Sequence, residues 1–198
     1  MMELSYIEQN LLSLIVLQKS KDKIHEQVIF NKKVQKSSVL MILNLVNKTI
    51  ILTQRAKDLS RHKNEISFPG GKYDALDNSL LETATRETKE EIGLIIPRKQ
   101  VISQLMKTYT LSGYEVYPYI AFLNTTPKFI INKNEVQNIV EIPFKIFLNL
   151  KNYKKFSFLH KNKIRNTIAI KYKNYFIWGL TAVLLHDLSK RIALDNSE

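Results

Sequence analysis

Residues 86–94 read Arg-Glu-Thr-Lys-Glu-Glu-Ile-Gly-Leu, so that Glu87, Glu90 and Glu91 place three carboxylates within five positions. In a helix these side chains stand at i, i+3 and i+4 and project from one face within a turn. Like charges at that spacing repel by roughly 0.2–0.5 kcal/mol per pair. A hard divalent cation held by oxygen ligands removes the repulsion. The spacing therefore points to a magnesium or manganese site, against the commoner alternative of a solvated acidic face.

The flanks decide between the two. Gly70-Gly71 follow Phe68-Pro69, which predicts a tight turn with exposed backbone. Asp77, Asn78 and Ser79 offer N-cap candidates, Leu80, Leu81 and Ala84 an apolar stripe, and Gly93 a left-handed C-cap, giving a capped helix of about fourteen residues. The whole stretch 70–94 closely resembles the Nudix box, G-x-x-x-x-x-E-x(7)-R-E-U-x-E-E-x-G-U with U aliphatic, the signature of hydrolases of a nucleoside diphosphate linked to a further moiety. Matched position by position, Arg86 stands for the box arginine and Glu87, Glu90 and Glu91 for its three metal-site glutamates, while Gly93-Leu94 match its close. Thr88 departs where the box wants an aliphatic residue, a change close to valine in shape. Asp77 stands for the first glutamate, one residue further from Arg86 than the general box allows.

That extra residue is expected in the coenzyme A diphosphatase branch, and the preceding segment narrows the resemblance in the same direction. Ile51-Leu52-Thr53-Gln54-Arg55-Ala56 through Phe68-Pro69-Gly70-Gly71 resembles the branch extension L-L-T-x-R-[S/A]-x-x-x-R-x-x-x-G-x-x-x-F-P-G-G, with the spacing from Thr53 to Pro69 kept. Ser60 replaces its second arginine, with Arg61 next door. Asn64 replaces its inner glycine, and Asn is the side chain that best tolerates positive φ.

The resemblance implies substrate-binding roles for Arg55, Gly70 and Gly71, with Arg55 holding a phosphate through a charge-assisted contact. Mg2+ or Mn2+ on Glu87, Glu90 and Glu91 would neutralise a diphosphate, activate water and stabilise the leaving oxygen. Arg86, one turn before Glu90, would fix the carboxylate rotamers. For the general base Glu90 is the first choice and Glu135, in Asn134-Glu135-Val136, the rival. The implied reaction splits coenzyme A, and its thioesters as a possible extension, into 4′-phosphopantetheine and adenosine 3′,5′-bisphosphate. Two alternatives stay open: a Nudix pyrophosphohydrolase of a nucleoside triphosphate, dinucleotide or RNA 5′ end, and a non-catalytic basic nucleic-acid-binding module.

The elements that must position these residues are readable in outline. Periodicity predicts an amphipathic helix near 4–18, then strands at 38–45 and 49–55 joined by a turn at Asn47-Lys48. After the box helix come strands near 101–109, 114–123 and 136–142. Pro143 opens a short helix, further strands fall near 155–160 and 165–172, and a last helix runs from about Trp178 to Ile192. Helices before, between and after the strands suggest α/β class and an α/β/α sandwich with a mixed central sheet, the Nudix fold that the resemblance implies. With no Gly/Ser/Pro-rich linker, we expect an N-terminal helical extension over 1–37, one domain over 38–192 and a tail over 193–198. The chain has five glycines, and Leu111-Ser112-Gly113-Tyr114 and Trp178-Gly179 resemble further segments of the family.

Composition excludes more than it assigns. Without cysteine there is no disulfide framework, thiolate metal site or cysteine nucleophile. His25, His62, His160 and His186 form no ligand pair, although His62 lies between Arg55 and the box. The formal charge is +12, but lysine outnumbers arginine 24 to 6, which points to A/T-rich codons. The lysines, as at Lys19, Lys21 and Lys23 or Lys151, Lys154 and Lys155, look scattered and lack the aromatic interleaving of a stacking platform, so nucleic acid is not the expected partner. Leu11 to Leu17 is too short to span a membrane and has no signal-peptide flank. The C-terminus is no peroxisomal address, and a cytoplasmic location is the expectation.

Overall fold

Leu40, Met41, Ile42 and Leu43 are fully buried in succession, which a strand achieves only when both of its faces are covered. The computed structural model describes residues 34–59 and 63–194. The helix expected over 4–18, most of the 1–37 extension, His25, Ser60, Arg61, His62 and the tail beyond 194 lie outside the described residues. The chain runs β1 (Gln35–Asn44), β2 (Thr49–Arg55), β3 (Ile66–Ser67), β4 (Gly70–Lys72), α1 (Leu80–Ile92), β5 (Val101–Gln104), β6 (Thr108–Tyr109), β7 (Tyr114–Leu123), β8 (Val136–Pro143), α2 (Phe144–Phe147), β9 (Tyr153–His160), β10 (Lys163–Tyr172), β11 (Tyr175–Trp178) and α3 (Gly179–Leu194). A 3-10 turn precedes β5 and another precedes β9.

The first eight strands make one mixed sheet, in which β1 runs antiparallel to β2 and parallel to β7. The hairpin turn falls at Asn47-Lys48 as expected: Lys48 takes φ 53°, and the side-chain oxygen of Asn44 accepts the backbone N–H groups of Val46 and Asn47. Alternation along the strands then builds two cores. Leu40, Ile42 and Ile51 face α1 and pack with Ala84, Ile92 and Ala121. Met41, Leu43, Ile50 and Leu52 face the other way, against Phe147, Ile170, Ile177, Leu185 and Leu188. Each such side chain contributes about 1.5–3 kcal/mol by leaving water.

The architecture is the expected single α/β domain with helices on both faces of a mixed sheet. Four details differ. The layer opposite α1 also holds a three-stranded antiparallel sheet, β11-β10-β9, which takes in the strands expected at 155–160 and 165–172. The strand expected over 101–109 is broken between β5 and β6, where the Leu105 N–H turns to the Pro118 carbonyl. β1 starts three residues before the expected domain boundary at 38. The short β3 and β4 have too few residues to show a period, and both pair with longer neighbours.

Candidate active site

The box helix begins and ends on local chemistry. The hydroxyl of Ser79 accepts the Glu82 N–H, and the Glu82 carboxylate accepts the Asn78 N–H at 2.8 Å, a reciprocal N-terminal cap. Gly93 closes the thirteen-residue helix at φ 71°, its N–H donating to the Lys89 carbonyl. On the buried face, the Thr88 hydroxyl donates to the Ala84 carbonyl at 2.7 Å. The hydroxyl at the aliphatic position is thus satisfied within the helix.

Glu87, Glu90 and Glu91 share one edge of α1 but differ in depth. Glu91 is buried, Glu87 mostly covered and Glu90 half exposed, with side-chain exposures of 3%, 17% and 51%. Arg86 ties two of them together: its Nη1 lies 3.0 Å from Glu87 Oε1 and 2.8 Å from Glu90 Oε2. Its Nε and Nη2 meet the two oxygens of Asp77 at 2.8 and 2.9 Å. Asp77 is therefore the anchor of Arg86 and not a helix cap. Arg86, aided by Thr83 and the Asp74 N–H against the opposing effect of burial, holds the Asp77 carboxyl down at about 2. Asp77 in turn pushes the guanidinium up.

Gly70 and Gly71 do not form the expected exposed turn. They open β4 and pair with Val39 and Ser38 of β1, because the backbone after Pro69 runs close enough to β1 to add to the sheet. Gly70 has φ 147°, a Cβ there would overlap the Ser38 carbonyl, and its N–H donates to Glu91 Oε2 at 3.3 Å. A Cβ on Gly71 would overlap the Glu87 carboxylate. The two glycines thus open a cradle for two of the three glutamates.

The remaining candidates arrive from the other side. Arg55 ends β2 on the face shared with Ile51 and Thr53, and its Nη1 lies 3.9 Å from Glu91 Oε1. Its Nε is buried without a hydrogen-bond partner. Opposite it the β2–β8 register slips, Gln54 facing Asn138 and Arg55 facing Val136. This bulge turns Val136 into the α1-side core although Val140 and Ile142, of the same parity, face the other core. Glu135, the preceding residue, passes its carbonyl to the Ala56 N–H. The same loop is pinned to α1, since the Ile130 and Asn132 N–H groups bond the Ile92 and Glu91 carbonyls that the helix end leaves free.

The electrostatics follow from this packing. Burial pushes the Glu91 carboxyl up to about 8, against the pull of Arg55 and the Gly70 N–H and with help from Glu87 and Glu135. Burial also raises Glu87, which Arg86 opposes and Glu90 and Glu135 reinforce. Glu135 is thus near enough to act on both. Among the described residues no three acidic or imidazole side chains already converge as a metal cage, because Arg86 draws Glu87 and Glu90 to itself. The donors nevertheless fit a hard divalent cation. They are all oxygen, the buried Glu91 has only a distant cationic partner, and the missing Cβ of Gly71 leaves room for the Glu87 carboxylate among them.

The NUDIX domain profile matches residues 34–159, which takes in every residue of this cluster. The chain is also 35% identical over 147 residues to the uncharacterized Nudix hydrolase NudL of Yersinia pestis, covering 74% of this chain and 73% of the relative, and equally similar to NudL of Yersinia pseudotuberculosis. The chain belongs to the Nudix family. The crystal structure of a MutT protein from Methanosarcina mazei superposes with a TM-score of 0.56 over 85% of this chain and 99% of that one, and a MutT/nudix protein from Enterococcus faecalis with 0.55 over 96% and 73%. At 16% identity each, these likenesses speak for the Nudix fold alone.

Within the Nudix domain, all the predicted site residues come together: Arg55, Gly70, Gly71, Arg86, Glu87, Glu90, Glu91 and Glu135. Asn64 takes φ 58° where the branch extension has glycine, as its tolerance of that region allows. His186 packs edge-on against Tyr153, with centroids 4.9 Å apart, in the layer opposite α1, a structural role. The anchoring role of Asp77 and the cradle made by Gly71 escaped the sequence reading. Asp77 and Arg86 stand nine positions apart, too far for a helix-spacing rule, and only the turn at 74–77 folds one onto the other.

Proposed function

We propose that this Nudix hydrolase cleaves the diphosphate of coenzyme A, releasing 4′-phosphopantetheine and adenosine 3′,5′-bisphosphate. The observation that carries the reading is the meeting of Arg55 with Glu91. Arg55 belongs to the stretch that resembles the coenzyme A branch, Glu91 belongs to the box, and the buried Arg55 Nε has a donor to spare. A phosphate beside Glu91 would take that donor in a charge-assisted contact.

Nudix hydrolases generally use a divalent metal such as Mg2+ or Mn2+. Here Glu87, Glu90 and Glu91 would hold it, and the cation would supply neutralisation of the diphosphate and a more acidic water. The chain's own residues do the rest. Arg86, fixed by Asp77, sets the rotamers of Glu87 and Glu90. Glu135 is favoured over Glu90 as general base, since Glu90 is half exposed and held by the Arg86 cation, while Glu135, which accepts only from the neutral Asn132 amide, lies near enough to act on both Glu87 and Glu91. Phosphorus gains the water oxygen as its bond to the bridging oxygen breaks, and the water's proton passes to the base. Arg55 holds the non-reacting phosphate throughout.

Product identification with coenzyme A, 3′-dephospho-coenzyme A, NADH and ADP-ribose at equal concentration tests the substrate. The expected result is a clear preference for coenzyme A, because a site built around the 3′-phosphate leaves cations unpaired when that group is missing. Preference for NADH or ADP-ribose overturns the coenzyme A assignment and leaves the Nudix chemistry standing.

A further inference from the structure

Between Glu141 and Asp187 the chain has no carboxylate side chain, while nine lysines and arginines fall there, against a formal net charge of +12 for the whole protein. The cations look dispersed in the sequence, but the fold brings four of them, Lys151, Lys154, Lys155 and Lys171, to one trough. This segment builds α2, the three-stranded sheet and the start of α3. One face of that sheet, bearing Tyr153, Ile170 and Ile177, is buried in the core. Strand pairing sets Lys154 opposite Ala169, Phe156 opposite Thr167, Phe158 opposite Arg165, and Lys171 opposite Phe176, with Trp178 also opposite Ala169. Directly paired residues share a face, so these side chains occupy the outer one.

That face carries a continuous set of rings. Phe156 and Phe158 stack with centroids 6.2 Å apart, Phe176 meets Phe156 edge-on at 5.1 Å, and Trp178 meets Phe158 at 5.1 Å. Phe176 stays 46% exposed. Beside the rings lies a trough of about 400 Å³ lined by Lys151, Lys154, Lys155 and Lys171 with Phe156 and Phe176. This corrects the reading that the lysines lack aromatic neighbours.

We infer that the outer face of β9-β10-β11 binds single-stranded nucleic acid, lysines pairing with phosphates along the trough and bases stacking on Phe176 and its neighbours. The charge is of one sign across the segment, which suits a polyanion. The rings add the sequence-tolerant stacking that single strands offer and duplexes hide. A bilayer would need apolar side chains protruding past the cations, whereas Phe156 and Phe176 line the trough among four lysines. The face lies across the main sheet from α1, so it is separate from the glutamate site and does not depend on the substrate proposed for it.

Fluorescence anisotropy of the full-length protein with labelled oligo(rU) and oligo(dT) tests the inference, with heparin and phosphatidylglycerol vesicles as comparison probes. Binding is expected to weaken as salt rises, with a log–log slope of about −0.7 per phosphate contact. Lys154→Glu with Lys171→Glu should weaken binding at least about tenfold and flatten that slope by roughly 1.4, while hydrolase activity stays at the parent level. Phe176→Ala should weaken oligonucleotide binding about fivefold or more and leave heparin binding unchanged. Equal oligonucleotide affinity of the parent and the double lysine variant overturns the inference, as does binding to vesicles without binding to oligonucleotide. A Phe176→Ala loss of the same size on heparin, which has no bases, overturns the stacking role.

Discussion

Gly71 and Glu87 compete for one volume: a Cβ on Gly71 would overlap the carboxyl carbon and both carboxyl oxygens of Glu87. Gly70, its neighbour, is hemmed in differently, by the backbone of Ser38 and Val39 and by a φ of 147°. One glycine clears space for a flexible side chain, and the other clears space for a strand. The distinction separates function from stability.

Gly71→Ala should therefore cost activity and little stability. The methyl group displaces the end of a flexible carboxylate, and misplacing a reacting group by about 1 Å is worth on the order of a hundredfold in rate. Gly70→Ala should instead destabilise by about 2 kcal/mol or more, since backbone must move and the conformation disfavours a side chain. Thermal melts and kcat/KM of the two variants, compared side by side, check both halves.

Activity should require a divalent cation, and Glu91→Gln should remove most of it, by about a hundredfold or more. From the sequence this looks like a harmless surface change. The structure shows Glu91 buried, and the reason the fold survives is different: burial already favours a neutral group there, and the glutamine oxygen can keep the Gly70 N–H. In EDTA at neutral pH the variant should melt no lower than the parent. Turnover near the parent rate at saturating magnesium sinks the assignment.

Arg55→Ala should raise KM for coenzyme A more than it lowers kcat, the pattern of binding lost from ground and transition states alike. Some loss of kcat is expected too, because Arg55 also pulls the Glu91 carboxyl toward its charged form. Steady-state kinetics decide the matter. An unchanged KM returns Arg55 to a purely structural role.

Asp77 gives a pH signature. Its folded value of about 2 lies below the ordinary 3.8, so its contribution is complete above about 3.8 and is lost as pH falls through about 2. The pair contributes on the order of 2 kcal/mol, less whatever solvent screens at the partly exposed Arg86. Urea unfolding of the parent and Asp77→Asn should differ by about that amount at pH 5 and converge near pH 2. A gap that persists at pH 2 assigns the effect to packing alone.

The box was legible because it is a code of short spacings. Glu87, Glu90 and Glu91 fall on one edge by helix geometry alone, Ser79 and Gly93 cap by local backbone chemistry, and Arg86 reaches Glu90 across one turn. A strand near 38–45 could likewise be read from its apolar run, while the burial of both its faces came from the structure. β4 was missed because three residues have no period, and β11 because four residues after a turn hardly show one.

What the sequence determined by itself, then, is the family, the capped helix and the carboxylates it presents, all of them fixed by interactions within a turn or two of chain. The tertiary structure alone decided which carboxylate is buried, that Asp77 and not a helix cap anchors Arg86, that a bulge at Gln54/Arg55 turns Val136 toward α1 beside Glu135, and that dispersed lysines meet four rings on one sheet face. Each of these depends on strand register or on a loop docking between residues distant in sequence. Register is set by the sum of many contacts, and a slip of one residue moves every side chain of a strand to its other face.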